Sequence, residues 1–368
     1  MSWPLPAVDG VLSAGQIADT GASIAKMQEP SGAIPWTIGE HTDIWNHVEG
    51  AMALMISGQR EAAERAYRWA VSVQRPDGSW PMKIVAGEIE DASGETNMSA
   101  YLAVGAWHHW LLTHDRSFLR ELWPAVRRGL DWVVGMQLPF GGIAWSQEWA
   151  DGKLAKVNRE ALLAGSSSIY QALRAGVAIA ELLGDEQPEW ELAGGRLGHA
   201  LRTHRDLFLD KSEFSMDWYY PILGGAVRGE AAHDLVTERW DTFVDPALGI
   251  RCVSQNPWYT GAETCELVMA LDAIDDPRAV ELFAAMQHLR DSHGRYWTGY
   301  VTPDNVNWPH EHTTYTAAAV VLAADELSRA TPASGIMRGE SLAPHFEEIG
   351  LECGCTDESS ADRVARLS

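Results

Sequence analysis

One short motif recurs along the chain and constrains its fold more than any other feature. It runs from Gln through Gly to Trp in the stretches QEPSGAIPW (28–36), QRPDGSWPM (74–82) and QLPFGGIAW (137–145). Looser versions occur as LDKSEFSMDW (209–218), VDPALGI (244–250) and LRDSHGRYW (289–297). Because glycine permits a tight turn, each stretch predicts a corner between two helices. Internal repetition of this kind predicts a repeated helix–corner–helix architecture.

Apolar residues recur with helical periodicity between the corners. The helix after each corner is apolar nearly all round, as in MALMIS (52–57) and YTAAAVVLAA (315–324), which is typical of a buried helix. The helix before each corner keeps a charged face, as in EAAERAYR (61–68), and belongs outside. Six outer and six inner helices with short corner loops predict an all-α fold, the (α/α)6 barrel, as a single domain over residues 1–330. Residues 331–368 lack periodicity and are predicted to be a partly irregular C-terminal extension that packs against the barrel or stays partly disordered.

The acidic composition restricts the partners of the chain. Its 368 residues include 28 Lys and Arg against 51 Asp and Glu, a formal net charge of −23. Nucleic acids and anionic membranes both require a basic footprint, so this charge argues against either partner, although it also serves solubility alone. We recognise no signal peptide and no membrane-spanning apolar run. The four cysteines are too few and scattered for a disulfide framework, and we expect a cytoplasmic protein.

Acidic and aromatic residues concentrate where the corners lead into the inner helices. All six corners are expected at one end of the barrel, with their Trp side chains directed towards its mouth. Aromatic rings cover the apolar face of a sugar while polar groups bind its hydroxyls, and two opposed carboxyl groups hydrolyse a glycosidic bond. This pattern predicts a carbohydrate-active site. The carboxylates that stand beside aromatic residues are Asp43, Glu95, Asp217, Glu263 and Glu311.

The acids at the helix starts also have a structural interpretation. Asp43 and Glu95 occupy positions typical of N-caps or first-turn acids. Glu263 is less easily explained in this way, because an aromatic pair precedes it. Glu49 and Glu266 lie inside apolar inner-helix starts, where a carboxylate must find a partner, and are predicted to form hydrogen bonds across the barrel.

Metal and cofactor chemistry find little support in the sequence. His310 and His312, and the adjacent His108 and His109, lack a third ligand at a recognisable spacing. Polar contacts are their expected role. No phosphate loop, dinucleotide motif or nucleophile elbow is present, and we expect neither a metal nor a cofactor.

Two resemblances to known families follow from these stretches. The corners resemble the Gln-Trp motifs of squalene and terpene cyclases and the repeats of protein prenyltransferases, but the cyclase acid motif and the prenyltransferase zinc ligands are not found. The stretches TDIWNHVEGAMAL (42–54), SGETNMSAYLAVGAWHHW (93–110) and NPWYTGAETCELVMAL (256–271) make the chain similar to the (α/α)6 glycoside hydrolases. Among these, the whole chain resembles the mycobacterial methylmannose polysaccharide hydrolases.

That resemblance implies an endo-acting α-1,4-mannosidase that cleaves a neutral polysaccharide of partly 3-O-methylated mannose. It implies an inverting, metal-independent reaction that uses Asp43 and Glu263 as its two carboxyl groups. The sequence does not fix which is the acid and which the base; our prediction is Glu263 as the general acid and Asp43 as the base that activates water. Methylated sugars would also account for a mouth rich in Trp, because a methyl group adds apolar surface. The candidate substrate-binding residues are Trp36, Trp45, Asn46, His47, Trp80, Glu95, Asn97, Trp145, Asp217, Trp218, Tyr219, Trp258, Tyr259, Trp297, Trp308, His310, Glu311 and His312.

Three other functions stay open on the sequence alone. A terpene cyclase or prenyltransferase would need a deep apolar cavity with an acid cluster or a metal–diphosphate site. A non-catalytic carbohydrate-binding toroid would use the same acids only as caps and hydrogen-bonding groups. A sugar 2-epimerase would rely on His47, His310 and His312. The sequence does not fix the oligomeric state, although an outer helix that exposes Trp and Leu would support a homodimer.

Overall fold

The structure, a computed structural model, describes residues 3–150 and 152–347. The chain is mostly helical, as predicted, and no described helix has the length and apolar character needed to cross a membrane. The helices of the described part are α1 (Ala14–Met27), α2 (Ile44–Ile56), α3 (Arg60–Ser72), α4 (Thr96–Ala100), α5 (Leu102–Thr113), α6 (Arg116–Val134), α7 (Leu163–Leu183), α8 (Pro188–Thr203), α9 (Ser215–Leu223), α10 (Glu230–Phe243), α11 (Gly261–Asp272), α12 (Arg278–Ala285) and α13 (Thr314–Ser328).

Buried and amphipathic helices alternate along the chain. The buried helices contact one another in the order α2, α5, α7, α9, α11 and α13, and α13 contacts α2 again. They are apolar on most sides because each is covered by neighbours on both flanks and by an outer helix. The amphipathic helices α1, α3, α6, α8, α10 and α12 lie outside them. The amino-terminal ends of the buried helices therefore gather at one end of the fold.

The all-α prediction and the short corner loops are wrong, because three antiparallel sheets occupy the connections from outer to inner helices. These connections are long enough to pair with themselves and with one another. The longest pairing joins Ala144–Ala150 to Lys153–Ala161. The strands are β1 (Lys83–Val85), β2 (Glu88–Asp91), β3 (Gly94–Glu95), β4 (Ala144–Ala150), β5 (Lys153–Ala161), β6 (Val244–Asp245), β7 (Gly249–Arg251), β8 (Trp258–Thr260), β9 (Gly299–Val301) and β10 (Val306–Asn307). They form the sheets β1-β2, β3-β4-β5 and β10-β9-β8-β7-β6.

The repeated corner connects each outer helix to the next outer helix by close packing and hydrogen bonds. Its Gly adopts a left-handed φ of +101° at Gly78, +103° at Gly32 and +102° at Gly141. A Cβ atom at Gly78 would lie 2.1 Å from the backbone oxygen of Arg128 in the next outer helix. Glycine is required here both by the backbone conformation and by this close approach, which repeats in the corners at Gly32 and Gly141.

The corner Gln makes the second half of the same contact. Nε2 of Gln74 donates to the carbonyl oxygen of Gly78 at 2.8 Å and to that of Ala125 in α6 at 2.9 Å. Arg128 donates in turn to Oε1 of Gln74 at 2.6 Å. The equivalent pair of Gln bonds occurs at Gln28 and Gln137. The motif is therefore repeated because each unit needs the same bridge to the next outer helix.

Residues 331–347 close the end opposite the corners. Arg174 of α7, which is 3 % exposed, donates from Nε to the carbonyl oxygen of Ala343 at 2.8 Å. Arg338 pairs with Glu326 at 2.8 Å and with Asp272 at 3.1 Å. These bonds tie the segment to the carboxyl ends of the buried helices. The rest of the predicted extension, 348–368, lies outside the described residues.

Candidate active site

A carboxylate and three tyrosines form a hydrogen-bonded cluster among the buried helices, and we call this part of the site the pit. Glu266 of α11 accepts hydrogen bonds from the hydroxyls of Tyr220 and Tyr315, both at 2.7 Å, and from Tyr219. In α2, on the other side of α13, Oε1 of Glu49 accepts from Tyr101 at 3.2 Å. Glu49 and Glu266 therefore find hydrogen-bond partners as predicted, but the bonds run to neighbouring segments and not across the fold. We name Glu49, Glu266, Tyr101, Tyr219, Tyr220 and Tyr315 the pit floor.

Asp43 stands above this floor as the N-cap of α2. Its Oδ1 accepts from the backbone N–H of Asn46 at 2.9 Å, and its Oδ2 accepts from the Asn46 side chain at 2.5 Å. Oδ2 also lies 3.8 Å from Nε2 of His41. Burial raises the pKa of Asp43, while the bonds from Asn46 lower it. Asp43 is therefore a cap, as its structural interpretation predicted, and at the same time a carboxyl that faces other acids.

Glu263 lies in the first turn of α11, one turn before Glu266. It is half-buried, and the thiol of Cys252 is hydrogen-bonded to it, which contributes to raising the pKa of that thiol. Helix α13 contacts both α2 and α11. Asp43 and Glu263 therefore occupy the amino-terminal ends of two buried helices separated by one helix.

Glu95 is the third carboxyl on this side of the fold. It is the N-cap residue of α4 and pairs with Ser146 of β4. Burial and the nearby negative charge of Asp43 raise its pKa to about 7. Glu95 and Asp43 are close enough to repel one another, which places Glu95 beside the acid predicted to be the base.

Aromatic rings stand over the pit floor. The ring of Trp45 is stacked on Tyr101, with 3.8 Å between ring centroids. The ring of Trp36 lies 5.7 Å from Tyr315 and 6.0 Å from His41, almost parallel to the imidazole. Flat aromatic faces beside carboxyl groups are the composition of a sugar-binding site.

A cleft of about 740 Å³ lies beside Trp36, between α1 and the residues before α13. The indole N–H of Trp36 donates to Oε1 of Glu311 at 2.9 Å, and this bond joins the pit to the cleft. The ring of Trp297 packs on His312 and His310, with 3.8 Å and 5.0 Å between centroids. The other cleft-lining residues include Ile38, which is 75 % exposed, Lys26 and Arg295.

The remaining substrate-binding candidates lie on or beside the sheets and at the start of α4. Trp258 of β8 donates from Nε1 to the carbonyl oxygen of Trp308 at 2.8 Å, and Trp308 is 53 % exposed. Trp145 is half-buried on β4. Asn97 lies half-buried in the first turn of α4. Their part in binding a substrate stays a prediction.

Two of the predicted mouth tryptophans belong instead to the core. Trp80 is 1 % exposed and donates from its indole N–H to the carbonyl oxygen of Ala70 in α3 at 2.8 Å. Trp218 is 3 % exposed and donates to the carbonyl oxygen of Leu235 in α10 at 2.7 Å. Both rings fill space between an outer helix and its neighbours, so the prediction that they line the mouth is wrong.

His47 and Asp217 also have structural partners in place of the predicted substrate. His47 is fully buried, accepts from the N–H of Ile34 at 3.0 Å and bonds the carbonyl oxygen of Ala66 at 2.8 Å. Burial lowers its pKa to about 4. Asp217 accepts from the N–H of Ala164 at the start of α7, and it lines a separate cleft against α10.

Tyr219 and Tyr259 are buried rather than open to the mouth. Tyr219 is fully buried and its hydroxyl is taken by Glu266. Tyr259 is 3 % exposed, and its hydroxyl accepts from Nε of Arg251 at 3.2 Å. In the described part of the chain, no group of three His, Cys, Asp or Glu is placed to hold a metal ion.

The sequence interpretation missed His41, Tyr101 and Tyr315. Tyr101 and Tyr315 lie in apolar stretches of the sequence, which predict core residues. Only the hydrogen bonds of their hydroxyl groups show that they belong to the pit floor. His41 precedes the N-cap of α2 by two residues in a loop without regular structure. Its proximity to Asp43 was the available signal.

Paired carboxyl groups beside stacked aromatic rings define the site of a glycoside hydrolase, and comparison with known proteins identifies the chain as one. It is 53 % identical over 352 residues to the MMP endo-(1,4)-3-O-methyl-alpha-D-mannosidase of Mycolicibacterium hassiacum, an alignment that covers 95 % of this chain and 96 % of the relative. The chain belongs to the family of that mannosidase. No protein-family model matches the chain.

Solved structures of other proteins share the fold at low sequence identity. A structure described as a wild-type glycosidase has a TM-score of 0.64 at 13 % identity and covers 88 % of this chain and 96 % of its own. The cellobiose 2-epimerase of Spirochaeta thermophila has a TM-score of 0.58 at 12 % identity and covers 84 % of this chain and 96 % of its own. These likenesses show the fold alone.

Proposed function

We propose that this glycoside hydrolase is an endo-acting α-1,4-mannosidase that cleaves a polysaccharide of partly 3-O-methylated mannose with inversion. The observation that carries the proposal is the 53 % identity to an endo-3-O-methyl-mannosidase, in a chain that has Asp43 and Glu263 at the starts of two buried helices that flank α13. The successive contacts of the buried helices, which return from α13 to α2, support an (α/α)6 barrel as its scaffold.

The proposed reaction assigns one proton transfer to each carboxyl group. Asp43 takes a proton from a water molecule as the water oxygen bonds to C1 of the sugar. Glu263 gives its proton to the glycosidic oxygen as the bond from C1 to that oxygen breaks. The products are a β-configured reducing end and a free hydroxyl, and proton exchange with solvent restores both carboxyl groups. Inversion requires carboxyl groups about 6.5–9.5 Å apart, which leaves room for the water.

The surroundings of the two acids support this assignment. Asp43 accepts two hydrogen bonds from Asn46 at the positive end of α2, and both interactions favour the ionised form that a base needs. Glu263 lies one turn from the buried Glu266 carboxyl on the same face of α11.

The preference for a methylated sugar is supported by the apolar surface of the pit and cleft. Burying one methyl group contributes about 0.8 kcal/mol, and the half-buried Trp36 and the exposed Ile38 offer apolar surface for it. Hydroxyl groups that stay unmethylated would bind the polar residues between them. A partly methylated chain therefore matches the mixed lining better than a fully hydroxylated one.

Reducing-end release tests the function and product NMR tests the stereochemistry. Purified enzyme would be incubated with methylated α-1,4-mannan oligosaccharides, unmethylated ones and maltooligosaccharides. We expect cleavage of the methylated mannan, with the β-anomer of the new reducing end appearing first in the ¹H spectrum. First appearance of the α-anomer would contradict inversion, and absence of cleavage with folded protein would leave a carbohydrate-binding role.

The cleft beside Trp36 predicts a dependence on chain length. If the glycan continues from the pit into this cleft, Ile38→Ser is expected to lower kcat/KM for long oligosaccharides by about 3- to 10-fold, because the contact is worth about 1 kcal/mol. Short oligosaccharides that fill only the pit should be cleaved at the wild-type rate. The matched control is Ile89→Ser, because Ile89 is also an exposed apolar residue but lies on β2. Equal losses on short and long substrates would contradict this path.

A further inference from the structure

Two carboxyl groups of the pit floor take no direct part in the proposed reaction. Glu49 and Glu266 are 2 % and 1 % exposed and lie on helices from opposite sides of α13. Two ionised carboxylates at close quarters in a buried site repel strongly. The groups that face them across α2, α4, α9, α11 and α13 are Asp43, Glu263, Tyr101, Tyr219, Tyr220, Tyr315, Cys252 and Cys265.

The hydrogen bonds around these two carboxyl groups are unequal. Glu266 accepts three tyrosine hydroxyls on its two oxygens. Glu49 accepts one, at 3.2 Å, and has the indole of Trp45 as its other polar neighbour, while its Oε2 is buried without a hydrogen-bond partner among the described residues. Several donors stabilise an ionised carboxylate, whereas a buried charged oxygen without a donor is costly. The ionised form is therefore favoured at Glu266 and the neutral form at Glu49.

We infer that the pair holds one proton, that this proton resides on Glu49, and that the Glu266 carboxylate is the positioning residue of the pit. The electrostatics favour the same order. Burial and Glu266 raise the pKa of Glu49 well above its ordinary value, whereas burial and Glu263 raise the pKa of Glu266 only to about 7, because the three tyrosine bonds oppose them. Glu49 removes the repulsion by staying neutral. Glu266 keeps the charge that three hydroxyls require.

Glu266 positions the aromatic walls through the tyrosines. Tyr220 lies 6.3 Å from the ring of Trp45, and Tyr315 lies 5.7 Å from the ring of Trp36. Both tyrosine hydroxyls donate to Glu266, so this carboxylate fixes one ring beside each Trp side chain. Tyr101, on which Trp45 stacks, is bonded to Glu49 instead. An amide at position 266 would present an N–H₂ group to at least one of these hydroxyl donors.

Kinetics of isosteric variants test whether Glu49 is neutral and Glu266 is the positioning carboxylate. This kinetic test rests on the proposed function. Glu49→Gln keeps an uncharged group with the acceptor that Tyr101 uses, so its loss in kcat/KM should be clearly smaller than the loss of Glu266→Gln. Glu266→Gln is expected to lower kcat/KM by about 10²-fold, because small displacements in a binding site have effects of that size. The loss should fall mainly on KM, since global destabilisation alone would reduce the active fraction and lower kcat only.

Thermal unfolding tests the proton without any substrate. Above pH 4.5, the ordinary pKa of a Glu side chain, Glu49 is ionised in the unfolded chain but neutral in the folded one. The folded state then binds one more proton than the unfolded state, so the stability of the fold decreases as the pH rises. Glu49→Gln has no carboxyl at this position and therefore no such loss of stability. The Tm of Glu49→Gln minus the Tm of the wild type should therefore increase steadily from about pH 5 to about pH 8. A Tm difference that is constant or shrinks over this range, or an activity loss at Glu49→Gln equal to that at Glu266→Gln, would overturn the inference.

Discussion

Glu263→Gln is expected to lower kcat for cleavage of methylated α-1,4-mannan by about 10³-fold, since general acid–base catalysis contributes about 10²–10⁴-fold. The amide keeps the shape and neutral charge of the protonated acid but has no proton to give to the leaving oxygen. Asp43→Asn is expected to have a comparable effect, because an amide cannot accept a proton from water. Initial rates of reducing-end release measure both losses.

Two rescue experiments assign the roles of these acids. An aryl α-oligomannoside with an activated phenolate needs no protonation as it leaves, so Glu263→Gln should recover most of its activity on that substrate. Azide needs no base to attack C1, so it should restore turnover of Asp43→Asn and give a β-glycosyl azide. Rescue in the opposite pairing would reverse the assignment. Full activity in both variants would mean that neither Asp43 nor Glu263 is catalytic. Glu95→Gln would then be the next variant to measure.

The acid limb of the pH profile follows from the same assignment. A base must be ionised, so kcat/KM should fall as the pH drops through the pKa of Asp43. Burial raises that pKa from its ordinary value of 3.8. The charge of Asp43 helps to raise the pKa of Glu95 to about 7, so Glu95 is neutral while Asp43 titrates. Glu95→Gln is therefore expected to leave the acid limb in place, and a shift of the limb to lower pH in this variant would contradict that order of titration.

Gly78→Ala should destabilise the fold by about 3 kcal/mol or more, through overpacking and backbone strain together. The new Cβ would lie 2.1 Å from the backbone oxygen of Arg128, and φ at this position is +101°. Neither the corner nor α6 can yield without breaking the Gln74 bonds that join them. Urea unfolding followed by circular dichroism measures the change in the free energy of unfolding.

Gly39→Ala is the matched control for this substitution. Gly39 also has a left-handed φ, +85°, but nothing lies within 4 Å of its would-be Cβ. It should therefore show only the backbone cost, about 1 kcal/mol. Equal effects at the two positions would mean that the close approach of the corner to the next outer helix contributes nothing to stability.

Local patterns were sufficient to predict the helices and the acids. The alternation of apolar and amphipathic stretches predicted buried and outer helices because burial on all sides leaves no polar face. The starts of the buried helices predicted where Asp43, Glu95 and Glu263 would gather. The strands between them were missed, since short pairings such as that of β3 with β4 depend on residues far apart in sequence.

By itself the sequence determined the helical repeat, the Gln–Gly corners and the end of the fold at which the acids lie, because these depend on periodicity and on backbone conformation. Only the tertiary structure decided which corner tryptophans face the site. Trp36 and Trp80 follow the same motif, yet one bonds Glu311 beside the pit and the other bonds Ala70 in the core. The direction of a side chain depends on the neighbours that packing brings to it, and the same holds for Glu49 and Glu266, which meet only when α2 and α11 flank α13.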